Sequence, residues 1–215
     1  MKKIYNDYIN NNLKLEKWQK IGIICLIIAI SGVFGWIYEF LFYYLNSGMK
    51  QFYMRGANFL PWINIYATGS IMIIILTHKL KKKPALVFLI AALSTGILEY
   101  FSGYFMYILM DGIRCWDYNT EILNLGNING FVCLRSISFF GASALLLVYF
   151  IVPFCILFSK KMNKKTFLII SITLCSIFLI DELYNLIITK IINVPKATKI
   201  YKDLGIKYMD YYKNK

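Results

Sequence analysis

A carboxylate lies in the middle of a long apolar run, residues 84–110, and this feature constrains the fold more than any other. The run is long enough to cross a hydrocarbon layer of ~30 Å as a helix. An ionised acid at that depth costs roughly 2.5 to 3.5 kcal/mol, so we expect Glu99 to face protein or water. Its neighbours at three- and four-residue spacing are small, which favours close helix packing. These neighbours are Ala92, Thr95, Gly96, Ser102 and Gly103.

The composition is that of a membrane protein. The 215 residues are 59% hydrophobic and only 16% charged, and the mean hydropathy is +0.57. The net charge of +13 comes largely from lysines in short segments beside apolar runs, where they orient spans and contact lipid headgroups. We therefore expect the lipid bilayer as a partner and no nucleic acid.

Five apolar runs predict an all-α fold, a polytopic transmembrane helix bundle of about five spans. The spans are predicted at residues 21–45, 60–80, 84–110, 137–158 and 166–188. The bundle, residues 21–189, lies between a basic amphipathic N-terminal segment, residues 1–20, and a basic C-terminal tail, residues 190–215. Pro61 predicts that the second span begins with an irregular, polar half. The packing face of the fourth span is predicted at Ser138, Gly141 and Ala142.

The basic residues predict the orientation of the spans. Five Lys or Arg residues precede the first span, and the four connections carry two, four, two and four. This alternation places the N-terminus in the cytoplasm. Five spans then place the tail outside, although its seven lysines oppose this. Either the tail is an exception, or one of the spans does not cross fully. The fifth span is the suspect because it contains Asp181 and Glu182, and only one of these adjacent acids is expected to face the polar side of its helix squarely.

The fifth span has a polar stripe on one side of its helix. It consists of Ser171, Cys175, Glu182, Asn185 and Thr189. With the N-terminus in the cytoplasm, the charged residues predicted within the spans all fall in the outer half of the membrane. Scattered structural residues have no reason to share one depth, so we expect an outward-facing polar cavity. Its candidate substrate-binding or pathway residues are Glu39, Arg55, Tyr66, Glu99, Trp116, Asp117, Arg135 and Glu182.

The alternative is that Glu39 and Glu99 only pair with Arg55 and Arg135 and thereby organise helix packing. The sequence offers little support for catalysis. It contains no Gly-x-x-x-x-Gly-Lys-Ser/Thr loop, so a transporter role would need a separate ATPase subunit. No Gly-x-Ser-x-Gly motif occurs, and a non-enzymatic role is favoured.

We expect no cofactor and no metal. His78 lies in a lysine-rich loop, where a solvated role is expected, and the five cysteines lack metal-type spacing. Cys115 and Cys133 could form a disulfide if both lie outside the cell.

Several short motifs between residues 30 and 145 occur in one order. They are Gly35-Trp36-Ile37-Tyr38-Glu39, Arg55-Gly56, Pro61, Ile65-Tyr66 with Gly69, Leu98-Glu99-Tyr100, Trp116-Asp117-Tyr118, Asn129-Gly130 and Cys133-Leu134. Together they resemble the putative ABC-transporter type IV membrane proteins, the CmpB type. The chain departs from that pattern at Leu60 and at Ala67, where the family usually has glycine. The resemblance implies a bacterial membrane protein labelled as a permease, with no catalytic residues assigned.

Three functions are compatible with these features. The first is a permease-like transporter subunit in the bacterial cell membrane, whose cavity receives a small solute or a lipid-like substrate and whose basic loops contact an ATPase subunit. The second is a membrane-embedded enzyme acting on an envelope lipid, with Glu39 or Glu99 as acid or base and Arg55 and Arg135 on an anionic headgroup. The third is a structural or regulatory membrane protein. The sequence leaves open whether the chain forms homo-oligomers.

Overall fold

The computed structural model describes residues 2–46, 54–109, 112–207 and 212–213. Its helices are α1 (Lys2–Ile9), α2 (Lys17–Asn46), α3 (Asn64–Thr77), α4 (Pro84–Leu109), α5 (Leu134–Lys161), α6 (Lys164–Ile191) and α7 (Ala197–Asp203). Two-residue strands β1 (Ile113–Arg114) and β2 (Tyr212–Lys213) pair antiparallel. The predicted all-α class is confirmed. Lys50 and Met110, which were assigned to the first connection and to the end of the third span, lie outside the described residues.

Among the described residues, four helices are long and apolar enough to cross a membrane, namely α2, α4, α5 and α6, and α3 is a shorter apolar helix. The prediction of about five spans is therefore confirmed. The first span begins four residues earlier than expected, at Lys17. The predicted helix over residues 1–20 ends at Ile9, because Asn11 adopts a left-handed conformation with φ 60° that a helix cannot continue through.

The chain divides into two compact units. The first comprises Met1–Lys14, Met72–Phe154 and Asp210–Lys215, and the second comprises Leu15–Ile71 and Cys155–Met209. In the first unit α4 packs on α5. The small face around Glu99 is confirmed as the packing face of α4, since Ala92, Thr95, Gly96 and Gly103 are buried and Gly96 contacts Ile137.

The predicted packing face of the fourth span is wrong for two of its three residues. Ser138 and Ala142 are exposed, and only Gly141 is buried, against Phe88. Burying the large ring of Phe140 removes more apolar surface from water than burying the small side chains does. Helix α5 is therefore rotated about its axis so that Phe140 faces the interior. The buried face of α5 therefore contains Ser136, Phe140, Gly141 and Ala144. Exposed residues recur every fourth position, at Leu134, Ser138, Ala142, Leu146 and Phe150.

Helix α1 is attached to the connection between α3 and α4 through Lys81. The Lys81 ammonium donates a hydrogen bond to the Tyr8 carbonyl oxygen at 2.6 Å and lies 3.8 Å from the centre of the Tyr8 ring. The Tyr149 hydroxyl donates to the Lys81 carbonyl oxygen at 2.8 Å. Burial disfavours the charged amine and lowers the pKa of Lys81 to about 8, so the group is still mostly charged at neutral pH.

In the second unit α2 packs on α6. Glycines of α2 permit the close approach: Gly22 contacts Phe167, and Gly32 contacts Phe178 and Trp62. Trp62, Ala67 and Phe178 form a buried hydrophobic cluster in this unit. The polar stripe predicted on the fifth span is confirmed as buried at all five positions.

Replacing Gly35 with alanine is expected to lower the free energy of unfolding by about 1–3 kcal/mol. A Cβ atom at this position would lie 2.1 Å from Cγ of Tyr66, so α2 and the ring would have to separate. Thermal unfolding in mild detergent measures the effect. Ser138→Ala, at an exposed position of α5, serves as the control. Equal stability of the two variants would contradict this contact.

Candidate functional site

The second predicted span is only partly helical. Helix α3 has 14 residues, about 21 Å, which is shorter than a hydrocarbon layer of ~30 Å. Residues 54–63, called here the unwound segment, run beside α2 before α3 begins. The Ile63 amide donates to the Gly32 carbonyl oxygen at 3.0 Å, and the Trp36 indole donates to the Arg55 carbonyl oxygen at 3.1 Å. Gly32 is near the middle of the 30-residue α2, so this backbone lies at the depth of a span.

Non-helical backbone at membrane depth needs hydrogen-bond partners within the protein. Asp181 of α6 provides them. Its Oδ1 accepts from the Phe59 amide at 2.9 Å, and its Oδ2 accepts from the Leu60 amide at 2.9 Å and from the Trp62 indole at 3.1 Å. Asn185 adds a fourth donor, its Nδ2, at 2.9 Å from Oδ1. One carboxylate thus satisfies two backbone amides that have no helical acceptor.

Asp181 was not among the candidate site residues. Asp181 and Glu182 are nevertheless both buried, although only one of them was expected to face the polar stripe squarely. The unwound segment contacts α6 on two sides: Glu182 Oε1 accepts from Asn58 Nδ2 at 2.6 Å, while Asp181 binds the following residues. A wider, π-helical turn, Tyr184–Ile188, follows directly on the two acids, and such turns often occur at functional positions.

The C-terminal residues return to the unwound segment. The Tyr201 hydroxyl donates to the Phe59 carbonyl oxygen at 2.9 Å, and the Met54 amide donates to the Lys207 carbonyl oxygen at 2.8 Å. The Ala197 amide donates to Asn185 Oδ1 at 2.9 Å. In this unit the tail therefore lies at the end of α6 that contacts the first connection.

The suspicion that the fifth span fails to cross is not supported by the helix itself. Helix α6 has 28 residues and is long and apolar enough to cross, whereas the shorter helix is α3. In the first unit β2 likewise pairs with β1, which belongs to the connection between α4 and α5.

Glu39 and Arg55 form an ion pair, as one of the alternatives from the sequence predicts. Arg55 Nη2 and Nε lie 2.8 and 3.0 Å from Glu39 Oε2, and the guanidinium carbon lies 4.0 Å from the centre of the Tyr43 ring. Tyr66 is buried against Gly35, one helical turn from Glu39. Three of the candidate residues are thus close together at the unwound segment.

A double-mutant cycle on Glu39 and Arg55 is expected to show a coupling of about 0.5–3 kcal/mol. Each single variant, Glu39→Gln or Arg55→Gln, leaves a largely buried charge without its ionic partner, so the double variant should be more stable than additivity predicts. Unfolding of the four proteins in detergent measures the coupling. The same cycle on Glu39 and Arg135, which lie in different units, is the control, and equal couplings would contradict a specific pair.

The first unit contains a second polar cluster. The Tyr118 hydroxyl donates to Glu99 Oε1 at 2.5 Å, and the ring of Tyr118 lies 5.3 Å from the Arg135 guanidinium carbon. Arg135 Nη2 forms an ion pair with Glu121 Oε2 at 2.5 Å. Sequence reasoning missed Tyr118 and Glu121. Glu121 could have been found from the sequence, because it is the only charged residue between Tyr118 and Leu134 and therefore the nearest acid that could pair with Arg135.

Trp116 and Asp117 hold the connection in place. Trp116 Nε1 donates to the Phe131 carbonyl oxygen at 2.9 Å, and its ring packs on Gly103 of α4. Asp117 Oδ1 accepts from the Asn119 amide at 3.1 Å and from Asn119 Nδ2 at 2.7 Å. Cys115 and Cys133 are both thiols in the structure.

The eight candidate residues divide equally between the two units. Those in the second unit are Glu39, Arg55, Tyr66 and Glu182, and those in the first are Glu99, Trp116, Asp117 and Arg135. Within each unit, the four candidate residues lie in or next to a buried polar cluster.

A family model with the description "Putative ABC-transporter type IV" matches residues 26–186, most of the chain, and includes both clusters. No curated protein and no solved structure matches the chain.

Proposed function

Since this chain belongs to the family Putative ABC-transporter type IV, we propose that it is the permease-like membrane subunit of a transporter and that a separate ATPase subunit supplies the energy. The chain itself has no P-loop sequence. The substrate is a small solute or a lipid-like molecule that enters through an outward-facing polar cavity. This cavity is inferred from the sequence, in which the charged residues predicted within the spans all fall in the outer half of the membrane.

The unwound segment is the observation that carries this proposal. Transporters place substrate sites at discontinuous spans, where unwound backbone and half-helices offer polar groups near the middle of the membrane. Here the segment is bonded on one side to Glu39 of α2, through Arg55, and on the other to Asp181 and Glu182 of α6. An arginine and several aromatic rings at such a position suit a substrate with an anionic and an apolar part.

The proposed orientation follows from the basic residues. The N-terminus and the lysine-rich second and fourth connections face the cytoplasm of a bacterial cell, where the ATPase subunit binds. The first and third connections and the tail then lie outside. This orientation is supported by the alternation of Lys and Arg along the chain and by the contacts of the tail with the first connection.

A structural or regulatory role is the second candidate, and one observation favours it. Asp181 bonds to the backbone amides of the unwound segment, and Glu39 and Glu121 each bond to an arginine. Acids used in this way stabilise the packing of helices and connections and need not contact a substrate. The two candidates differ in whether neutral, isosteric replacement of an acid abolishes activity while folding is retained.

The test is purification of the tagged protein from its own membranes in mild detergent, followed by identification of copurifying proteins and an assay of ATP hydrolysis. We expect a stoichiometric ATPase subunit. A parallel purification from cells with the untagged protein identifies nonspecific contaminants. If no ATPase subunit copurifies and none is crosslinked in intact membranes, the transporter proposal is wrong and the structural role is favoured.

A further inference from the structure

The connection between α4 and α5 contains an exposed aliphatic segment, residues 120–128, called here the aliphatic tip. Leu123 and Leu125 are 72% and 75% exposed, and two isoleucines are more than half exposed as well. Large aliphatic side chains clustered on an extramembrane connection indicate a surface that contacts something other than water. The members of this aliphatic tip are Ile122, Leu123, Leu125 and Ile128.

The aliphatic tip is held rigidly. Asn124 Nδ2 donates to the Tyr118 carbonyl oxygen at 3.0 Å, and Arg135 Nη1 donates to the Ile122 carbonyl oxygen at 2.9 Å. Leu123 adopts a left-handed backbone with φ 55°, which is unfavourable for a residue with a side chain. The surrounding hydrogen bonds hold the backbone in this strained form, and the leucine side chain remains exposed. A loop that only connects two helices has no need of this arrangement.

The aliphatic tip also lacks exposed charge. Glu121 is the only charged residue between Tyr118 and Leu134, and its side chain is 3% exposed and paired with Arg135. Two backbone hydrogen bonds close the C-terminal end of the tip: the Ile128 amide donates to the Val132 carbonyl oxygen and the Phe131 amide to the Ile128 carbonyl oxygen. An exposed aliphatic surface without formal charge suits an environment poor in water.

The exposed stripe of α5 continues into the aliphatic tip. Leu134 begins that stripe, and its amide donates to the Leu125 carbonyl oxygen at 2.9 Å. Gly126, with φ +66°, packs directly on the Leu134 side chain. Because the exposed apolar face of a membrane span contacts lipid, the tip extends the lipid-contacting surface beyond the first turn of α5.

We propose that this aliphatic tip inserts into the bilayer interface, with its leucine and isoleucine side chains among the upper segments of the acyl chains. The occupant of the surface is therefore lipid. The tip anchors the connection that contains Tyr118 and Glu121, the partners of Glu99 and Arg135, at the membrane boundary. The inference requires a membrane protein and does not depend on transport.

Tryptophan fluorescence of the full-length protein in vesicles tests this proposal. We would introduce Leu123→Trp, and separately Leu125→Trp, and compare phosphatidylcholine vesicles with vesicles whose acyl chains carry bromine near the headgroup. Brominated lipid is expected to remove most of the emission that each substitution adds to that of the four native tryptophans. Leu204→Trp is the matched control, since Leu204 is 71% exposed but directly follows the charged residues Lys202 and Asp203 in the tail.

Two results would overturn the proposal. If both tip tryptophans are quenched no more than the one at Leu204, the tip contacts water. If their emission shifts to short wavelength without bromine quenching, the tip contacts protein, either this chain or a second copy.

Discussion

Replacing Asp181 with alanine is expected to destabilise the protein by about 3–5 kcal/mol and to remove most of the folded form from the membrane. The substitution leaves the Phe59 and Leu60 amides and the Trp62 indole without their acceptor at membrane depth. Each buried donor without a partner costs about 1–3 kcal/mol. The stability of Asp181→Asn should lie between that of Asp181→Ala and that of the unsubstituted protein. Asparagine keeps one acceptor oxygen, but its amide nitrogen would face a donor that the second carboxylate oxygen now accepts from. Unfolding in detergent and the yield of monodisperse protein measure the effect.

The matched control for Asp181→Ala is Asp203→Ala, which makes the same chemical change at an exposed position of α7. We expect its stability to remain within about 0.5 kcal/mol of the unsubstituted protein. Gly32 and Ile63 provide a further check, since their backbone hydrogen bond should open together with the segment. Amide exchange at Ile63 should rise in Asp181→Ala. Normal stability of Asp181→Ala would show that the unwound segment does not depend on this carboxylate.

Replacing Glu99 with glutamine is expected to lower ATP hydrolysis by the copurified complex at least about tenfold, which corresponds to about 1.4 kcal/mol, while folding is retained. Glutamine keeps a carbonyl oxygen that accepts from the Tyr118 hydroxyl, so the contact between α4 and the connection survives. What is lost is an ionisable group at a position where membrane proteins use such groups in solute or proton pathways. The measurement requires the complex whose existence the proposed function predicts.

Two further variants separate a functional Glu99 from a structural one. Glu99→Leu removes the acceptor as well as the charge, so it should also lower thermal stability. Glu16→Gln, at an exposed position before α2, should change neither activity nor stability. If Glu99→Gln has full activity while Glu99→Leu is unstable, Glu99 only stabilises helix packing.

The spans were predictable because hydropathy and length express a requirement that the bilayer imposes on each segment separately. A helix long enough to cross must be apolar along its length, and the four long helices satisfy this. The inward direction of Glu99 followed from the same reasoning, and its small neighbours are indeed buried. Pro61 correctly indicated that the second span begins irregularly, and α3 starts only at Asn64.

The partners of the charged residues were less predictable. Arg135 bonds to Glu121 in the preceding connection, and Asp181 bonds to a segment more than one hundred residues away in the chain. Periodicity along one helix could select only one of two adjacent acids, because it describes a single straight face. The unwound segment contacts α6 on two sides, so both acids are buried. The small residues of α5 also failed to predict which face of this helix is buried, because the burial of Phe140 determines that face.

By itself the sequence determined the class of protein, the approximate spans, the family and the inward position of Glu99. These properties depend on the transfer of individual segments and side chains between water and lipid, which local composition controls. Only the tertiary structure decided which donor meets which acid, how the backbone before α3 is satisfied without a helix, and where the aliphatic tip is exposed. These depend on contacts between residues that are distant in the chain, whose geometry arises only when the helices pack.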